Sequence, residues 1–230
     1  MKPLIIAHRG YSAKYPDNTW TAIRSAFEAG ADMCEVDLHM TKDSRIFIHH
    51  DYHVHGRLIA EQTLKELKEN LSDHPDLEEL ISWALKEEKK FMLEVKDRRI
   101  LNILSDYLKN IRKDLFIVGS FDAVFLRDFK VKNPDIKTCL LLGTVLDEIT
   151  TLELVRETGV EFVLPAWEAR HPYPQELLSE EWISALRNEN VYTICWHEER
   201  EDVLKDLLQK PVYGICTNDP VLVKRLRNGR

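Results

Sequence analysis

A chain of 230 residues with 44% apolar residues, 31% charged residues, 8 Gly and 9 Pro holds enough apolar material for a large packed core. That composition excludes disordered, collagenous and multi-span membrane classes. The formal charge of -7 repels polyphosphates, so no nucleic-acid partner is expected. Only the four residues Leu4 to Ala7 are consecutively apolar before His8, too few for a signal-peptide core, and no long apolar run follows. The expectation is a soluble cytoplasmic protein without membrane insertion.

In chain order, apolar runs at Leu4 to His8, Met33 to Leu38, Ile46 to His50, Phe91 to Lys96, Phe116 to Gly119, Thr138 to Leu142, Phe162 to Leu164, Val191 to Trp196 and Tyr213 to Thr217 read as strands. Asn18-Thr19 ahead of Trp20, Ile23 and Phe27, closed by Ala29-Gly30, carries the start and stop signals of a helix. Thr63 to Leu71, Leu77 to Lys86, Val124 to Lys130, Asp147 to Thr158, Ser179 to Arg187 and Glu201 to Leu208 read as further helices, and Asp219 caps one beginning at Pro220. Such alternation implies parallel strands joined by helical crossovers. The expected fold is one α/β domain over residues 1–230, either a closed eight-stranded barrel or an open doubly wound sheet. Nine strands exceed a simple barrel by one. The link from Met40 to Arg45 is too short for a helical crossover and reads as a hairpin within residues 33–50, which absorbs the excess. That hairpin could set Glu35 beside His50 across the ladder. Cys34, Cys139, Cys195 and Cys216 lie far apart in strand-like stretches and read as buried free thiols.

Charged groups interrupt these apolar strands, and a buried charge demands a partner. The strand period of two puts Glu35 and Asp37 on one face, with Cys34, Val36 and Leu38 on the other, and it pairs Glu94 with Lys96 in the same way. His8-Arg9-Gly10 follows the first strand, and His50-Asp51 ends the third. If these strands line one barrel, Glu35, Asp37 and Glu94 converge, and three close carboxylates cannot all stay ionised without a cation. All-oxygen ligation suits Mg²⁺, Ca²⁺ or Mn²⁺ better than zinc. His8 and His50 can exchange protons with a nucleophile and a leaving group. Arg9 and Lys96 can hold a phosphate diester. These groups point to metal-assisted phosphodiester chemistry on a small-molecule substrate.

His8-Arg9-Gly10, Pro16-Asp17-Asn18-Thr19, Gly30-Ala31-Asp32, Glu35-Val36-Asp37, Thr41-Lys42-Asp43, His50-Asp51, Glu94-Val95-Lys96, Ser120-Phe121-Asp122 and Thr217-Asn218-Asp219-Pro220 occur in this order along the chain. In this series the sequence closely resembles the glycerophosphodiester phosphodiesterase family, relatives of the phosphoinositide-specific phospholipases C. The resemblance implies a TIM-like (β/α)8 barrel and a divalent metal on Glu35, Asp37 and Glu94. It also implies His8 and His50 as the acid and base pair, and Arg9 and Lys96 on the phosphate. The implied reaction is hydrolysis of glycerophosphodiesters to sn-glycerol 3-phosphate and an alcohol. Three departures stand out. Asp17 occupies a place where the family usually has Glu, and only 43 residues separate His50 from Glu94, where many members carry a longer insertion. Trp196 is followed by His197-Glu198-Glu199, where the family commonly shows Thr-Val-Asn.

Plainer readings exist for several residues. His49 should face away from His50 and serve structure, and His53 and His55 read as part of a solvated loop around Gly56. Trp167 and Trp196 follow strands and either wall the substrate pocket or fill the core. Competing functions are a metal-free glycosidase using the same carboxylates, a lysophospholipase D acting on lysophospholipids, and a catalytically silent phosphate-binding protein.

Overall fold

A computed structural model describes residues 2–168 and 170–229. The strands in chain order are β1 (Leu4–His8), β2 (Met33–Met40), β3 (Ile46–Ile48), β4 (His53–Val54), β5 (Arg57–Leu58), β6 (Phe91–Val95), β7 (Phe116–Ser120), β8 (Lys137–Leu142), β9 (Phe162–Pro165), β10 (Tyr192–Cys195) and β11 (Gly214–Thr217). All nine expected strands are present, with small shifts at their ends. Strands β1, β2 and β6 to β11 pair in parallel, and β1 bonds to both β11 and β2, so the sheet closes into an eight-stranded barrel. The open sheet is thereby excluded.

The helices are α1 (Trp20–Ala29), α2 (Leu64–Asn70), α3 (Leu77–Glu87), α4 (Leu101–Leu108), α5 (Ala123–Lys132), α6 (Glu148–Thr158), α7 (Pro174–Leu177), α8 (Glu180–Asn188), α9 (Glu201–Leu207) and α10 (Pro220–Arg227). Local chemistry sets their ends. The Thr19 hydroxyl accepts from Ala22 N at the start of α1, and Gly30, at φ 98°, closes that helix in the left-handed region. Asp219 Oδ1 accepts from the Val221 and Leu222 amides and starts α10, as expected. Helices α4 and α7 were not anticipated. Among the described residues no helix is long and apolar enough to cross a membrane.

Strand alternation sorts two cores. Ile6, Met33, Met92, Cys139, Phe162 and Cys216 belong to the packed interior of the barrel. Ile5, Ala7, Cys34, Val36, Leu93 and Val95 face the helices. All four cysteines are free and buried, as expected. Because residues two apart share a face, the interior set continues upward from Ile6 to His8, from Met33 to Glu35 and Asp37, and from Met92 to Glu94. The polar site therefore crowns an apolar plug at the C-terminal ends of the strands, the functional end of such barrels.

The expected hairpin is real: β3 runs antiparallel to β2, with Leu38 opposite Ile48 and Met40 opposite Ile46. Its register corrects one expectation. The His49 amide donates to the Asp37 carbonyl at 3.1 Å, so His49, not His50, comes level with the carboxylate pair, and Glu35 and His50 are not cross-strand neighbours. A second correction concerns His53, which is exposed as expected but lies on a strand, while the equally exposed His55 sits in a turn. They belong to the small β4–β5 hairpin, whose turn residues His55 (φ 51°) and Gly56 (φ 77°) both lie in the left-handed region. Phe47, Val54, Ile59 and Leu67 give this outlying unit a small core of its own.

Candidate active site

The parallel register brings the site together. His8 on β1 is level with Glu35 on β2, and Asp37 on β2 is level with Glu94 on β6. One oxygen from each of Glu35, Asp37 and Glu94 lies within 4.8 Å of the other two. All three carboxylates are buried. Lys96, two residues after Glu94 on the same face, contacts Glu94 and sits 2.9 Å from Asp37 Oδ1.

Arg9 reaches the cluster because the backbone turns sharply after β1. Arg9 (φ 57°) and Gly10 (φ 87°) are consecutive left-handed residues. A Cβ on Gly10 would lie 2.6 Å from the Ala22 carbonyl carbon of α1, so only glycine permits this approach. The turn lets the Arg9 amide donate to Glu35 Oε2 at 3.1 Å, while its guanidinium spans Asp37 (3.3 Å) and Asp17 (3.2 Å). Asp17 thus holds Arg9 from the side away from the carboxylates.

The electrostatics follow from burial and neighbours. Burial first, then Asp37 and Glu94, push the Glu35 carboxyl well above its ordinary range. Burial and then Asp37 push Glu94 up to about 7. Burial also acts against ionised Asp37, but Lys96, Arg9 and the Asn18 amide outweigh it and hold this carboxyl low. Three carboxylates face two fixed cations, so full ionisation leaves a net charge of about -1 inside the barrel mouth, which protonation or a cation must balance. Among the described residues Glu35 Oε1 has no hydrogen-bond partner, and beyond Lys96 neither do the Glu94 oxygens. Buried oxygens left bare in an all-carboxylate set fit a hard divalent cation, which would leave the site at about +1, matched to a singly charged phosphodiester.

His8 is buried, and its Nδ1 sits 2.7 Å from Asn218 Oδ1, which fixes the ring proton on Nδ1. Nε2 has no hydrogen-bond partner and lies 3.9 Å from Glu35 Oε2. Burial, followed by Arg9 and His197, lowers its pKa to about 3, so this imidazole is neutral. His50 stands apart from His8. Its Nδ1 pairs with Asp51 at 2.7 Å, its carbonyl accepts from His39 Nε2 at 3.1 Å, and it shares a cleft of about 380 Å³ with Lys96 and Phe121. His8, Arg9 and His197 line another cleft of about 490 Å³. Strand β2 lies between β1, which bears His8, and β6, which leads to Lys96.

Both tryptophans line one small cavity of about 20 Å³ but pack on different sides of the barrel wall. Trp196 is buried in the barrel-interior core and packs edge-on to His8 with ring centres 5.0 Å apart. Trp167 is 2 % exposed, donates to the Thr144 carbonyl and packs on Trp182 in the layer under the helices, so of its two readings the packing realises the core one. His49 is half-buried against Phe47 and His74, a structural setting.

Several residues at the site were not singled out in the sequence. Asn18 is fully buried with φ 57°; its amide donates to Asp37 Oδ2 at 2.8 Å and accepts from Asp37 N at 3.2 Å. In the sequence it reads as a helix start and as part of the Pro16-Asp17-Asn18-Thr19 motif, neither of which marks it as a partner of Asp37. Asn218, which orients His8, sits in a motif whose Asp219 drew attention as a cap. His39 shares the face of Glu35 and Asp37 by the same period of two, a signal that was available.

A closed parallel barrel with a buried carboxylate trio, two cations and histidines at its C-terminal mouth defines an enzyme of the TIM-barrel class built around a buried acidic cluster with the donor set for a cation. The family model described as the glycerophosphoryl diester phosphodiesterase family matches residues 8–222. The chain belongs to that family. It is 30% identical to a glycerophosphodiester phosphodiesterase of Caldanaerobacter subterraneus, over the full length of both. Its fold is that of the glycerophosphodiester phosphodiesterase of Thermotoga maritima, with a TM-score of 0.83 and 24% identity over 99% of each chain. The fold is also similar to that of a phosphodiesterase of Oleispira antarctica solved with its product sn-glycerol 3-phosphate, with a TM-score of 0.84 and 19% identity over 99% of this chain and 97% of that one.

Proposed function

We propose that residues 1–230 form one catalytic domain that hydrolyses glycerophosphodiesters to sn-glycerol 3-phosphate and an alcohol. The observation that carries this reading is the buried trio of Glu35, Asp37 and Glu94, with bare oxygens, next to the free Nε2 of a neutral His8. Glu35, Asp37 and Glu94 would hold Mg²⁺ or Ca²⁺, with Mn²⁺ also suited to the donor set. A bound divalent cation supplies charge stabilisation for the phosphoryl oxygens.

The chain's own residues do the rest. Arg9 and Lys96 bind the non-bridging oxygens and neutralise charge that grows on them. The neighbouring glycerol hydroxyl attacks phosphorus while one of His8 and His50 takes its proton. The other returns a proton to the departing alkoxide, and water then opens the cyclic phosphate. Asn218 keeps His8 in the tautomer that presents Nε2, and Asp51 orients His50. Four buried free thiols suit a reducing compartment, which supports a cytoplasmic location.

A lysophospholipase D reading has one observation behind it: Tyr52 and Phe121, beside His50 and Lys96, are about half exposed and could meet an acyl chain. The test of the main reading is turnover of a panel of glycerophosphodiesters followed by phosphorus NMR, before and after exhaustive chelation. Release of sn-glycerol 3-phosphate that stops on chelation and returns with Mg²⁺, Mn²⁺ or Ca²⁺ is expected. Full activity in the verified metal-free protein would remove the carboxylate trio from the reaction.

A further inference from the structure

The His8 ring is held on more than one side. Trp196 meets it edge-on, and the next residue, His197, stacks on it nearly face to face, with ring centres 4.7 Å apart and planes 13° apart. Asn218 joins the two imidazoles through one amide: Oδ1 accepts from His8 Nδ1 at 2.7 Å, and Nδ2 lies 3.4 Å from His197 Nδ1. Asn218 is itself fastened. Its backbone amide donates to Glu199 Oε1 at 2.7 Å, and Ser12 Oγ lies 2.9 Å from Oδ1. The second Glu199 oxygen is 3.3 Å from His197 Nδ1, so one short segment, Trp196 to Glu199, grips both the ring and the amide that orients it. This is the stretch in which the sequence departs from the pattern of its family.

We propose that His197 is a positioning residue for the reaction: stacked on His8 and joined to it through Asn218, it holds the ring in the orientation and tautomer that keep Nε2 free for proton exchange. A side chain that served only to fill space would not need a parallel ring or a shared amide. His197 is 29 % exposed and lines the cleft beside His8, so replacing it disturbs little of the core. The proposal rests on His8 acting in the hydrolysis, and its test includes a readout independent of that reading.

His197→Ala removes both the stack and the shared amide contact, whereas His197→Phe keeps an aromatic face without a ring nitrogen. Aromatic pairs contribute up to about 1.5 kcal/mol beyond area burial, roughly a tenfold effect on a rate that depends on ring placement. In the metal-loaded protein, kcat of His197→Ala on glycerophosphocholine should fall about tenfold with KM within about twofold, and His197→Phe should recover most of it. In the same proteins, ¹⁵N-histidine spectra should show His8 protonated on Nδ1 in the parent and in His197→Phe, but a mixture of tautomers in His197→Ala. The proposal is overturned if His197→Ala keeps parental kcat, or if it raises KM alone, which would make His197 a substrate contact. It is equally overturned if the His8 tautomer is unchanged in His197→Ala. Should the parent hydrolyse none of the diesters, the function reading fails while the tautomer spectra still decide this inference.

Discussion

Replacing Glu94 by Gln should make the metal-free protein more stable, and increasingly so as pH rises. Glu94 is 1 % exposed, and burial together with Asp37 moves its carboxyl from 4.5 to about 7. An acid raised in the folded state binds more protons there than in the unfolded chain, so stability is lost as pH climbs from about 4.5 through about 7. The interval between those values corresponds to about 3 kcal/mol. The counteracting contact with Lys96 is already contained in it. Glutamine keeps the shape without the charge. In chelator, the advantage of Glu94→Gln over the parent should be small near pH 4 and approach about 3 kcal/mol above pH 8. Taking this difference cancels the background from His8 and His49, whose lowered pKa values make stability rise with pH over the same range. Urea unfolding at pH 5, 6, 7 and 8 measures it, and the thermal midpoints should separate by about 6–12 °C at the upper end. Adding Mg²⁺ or Ca²⁺ at 100 times its dissociation constant should stabilise the parent by about 2.7 kcal/mol and the variant far less. A difference that stays flat with pH, or an equal gain from the cation in both proteins, would refute the charge argument for this site.

His8→Ala and His50→Ala should each lower kcat by about 10² to 10⁴ with little change in KM, while His53→Ala and His55→Ala leave steady-state rates untouched. Asn18→Ala should cost about 1–3 kcal/mol in chemical unfolding, because it strands the buried Asp37 amide and removes one donor from a carboxylate oxygen that only Arg9 then faces among the described residues. Glycerophosphocholine, glycerophosphoethanolamine and glycerophosphoglycerol should be cleaved within about an order of magnitude of one another, since no buried polar contact dedicated to one alcohol is evident. A clear preference for lysophosphatidylcholine in the same assay would move the reading to a lysophospholipase D.

The barrel was legible because its strands are short apolar runs whose only interior charges are those of the site. Period two alone put Glu35 with Asp37 and Glu94 with Lys96 on the correct face. Alternation of strands and helices suits an open sheet equally, so closure was legible only through the family resemblance, whose implied barrel the bonds from β1 to both β2 and β11 bear out. Helix α4 escaped notice because no side chain caps its start at Ile100 and it follows directly on the charged turn Asp97-Arg98-Arg99. The β4–β5 hairpin looks like a loop in the sequence because its strands are two residues long and its turn is His-Gly. Register explains the error over Glu35 and His50: face can be counted from sequence, but which residues come level depends on the turn at Thr41, where Ser44 takes φ 58°.

The antiparallel departure of β3 from β2 has a mechanical consequence. His8 and the three carboxylates are mounted on barrel staves, each bonded on both sides, whereas His50 follows the three-residue edge strand β3, whose Ile46 and Ile48 pack in the main core while Phe47 joins the small core of Val54, Ile59 and Leu67. The two groups proposed to share proton transfer therefore have unequal anchorage. The outlying unit can open at a lower free-energy cost than the barrel, so warming or mild denaturant should disengage His50 while the barrel still holds, and catalytic competence should fail before the fold does.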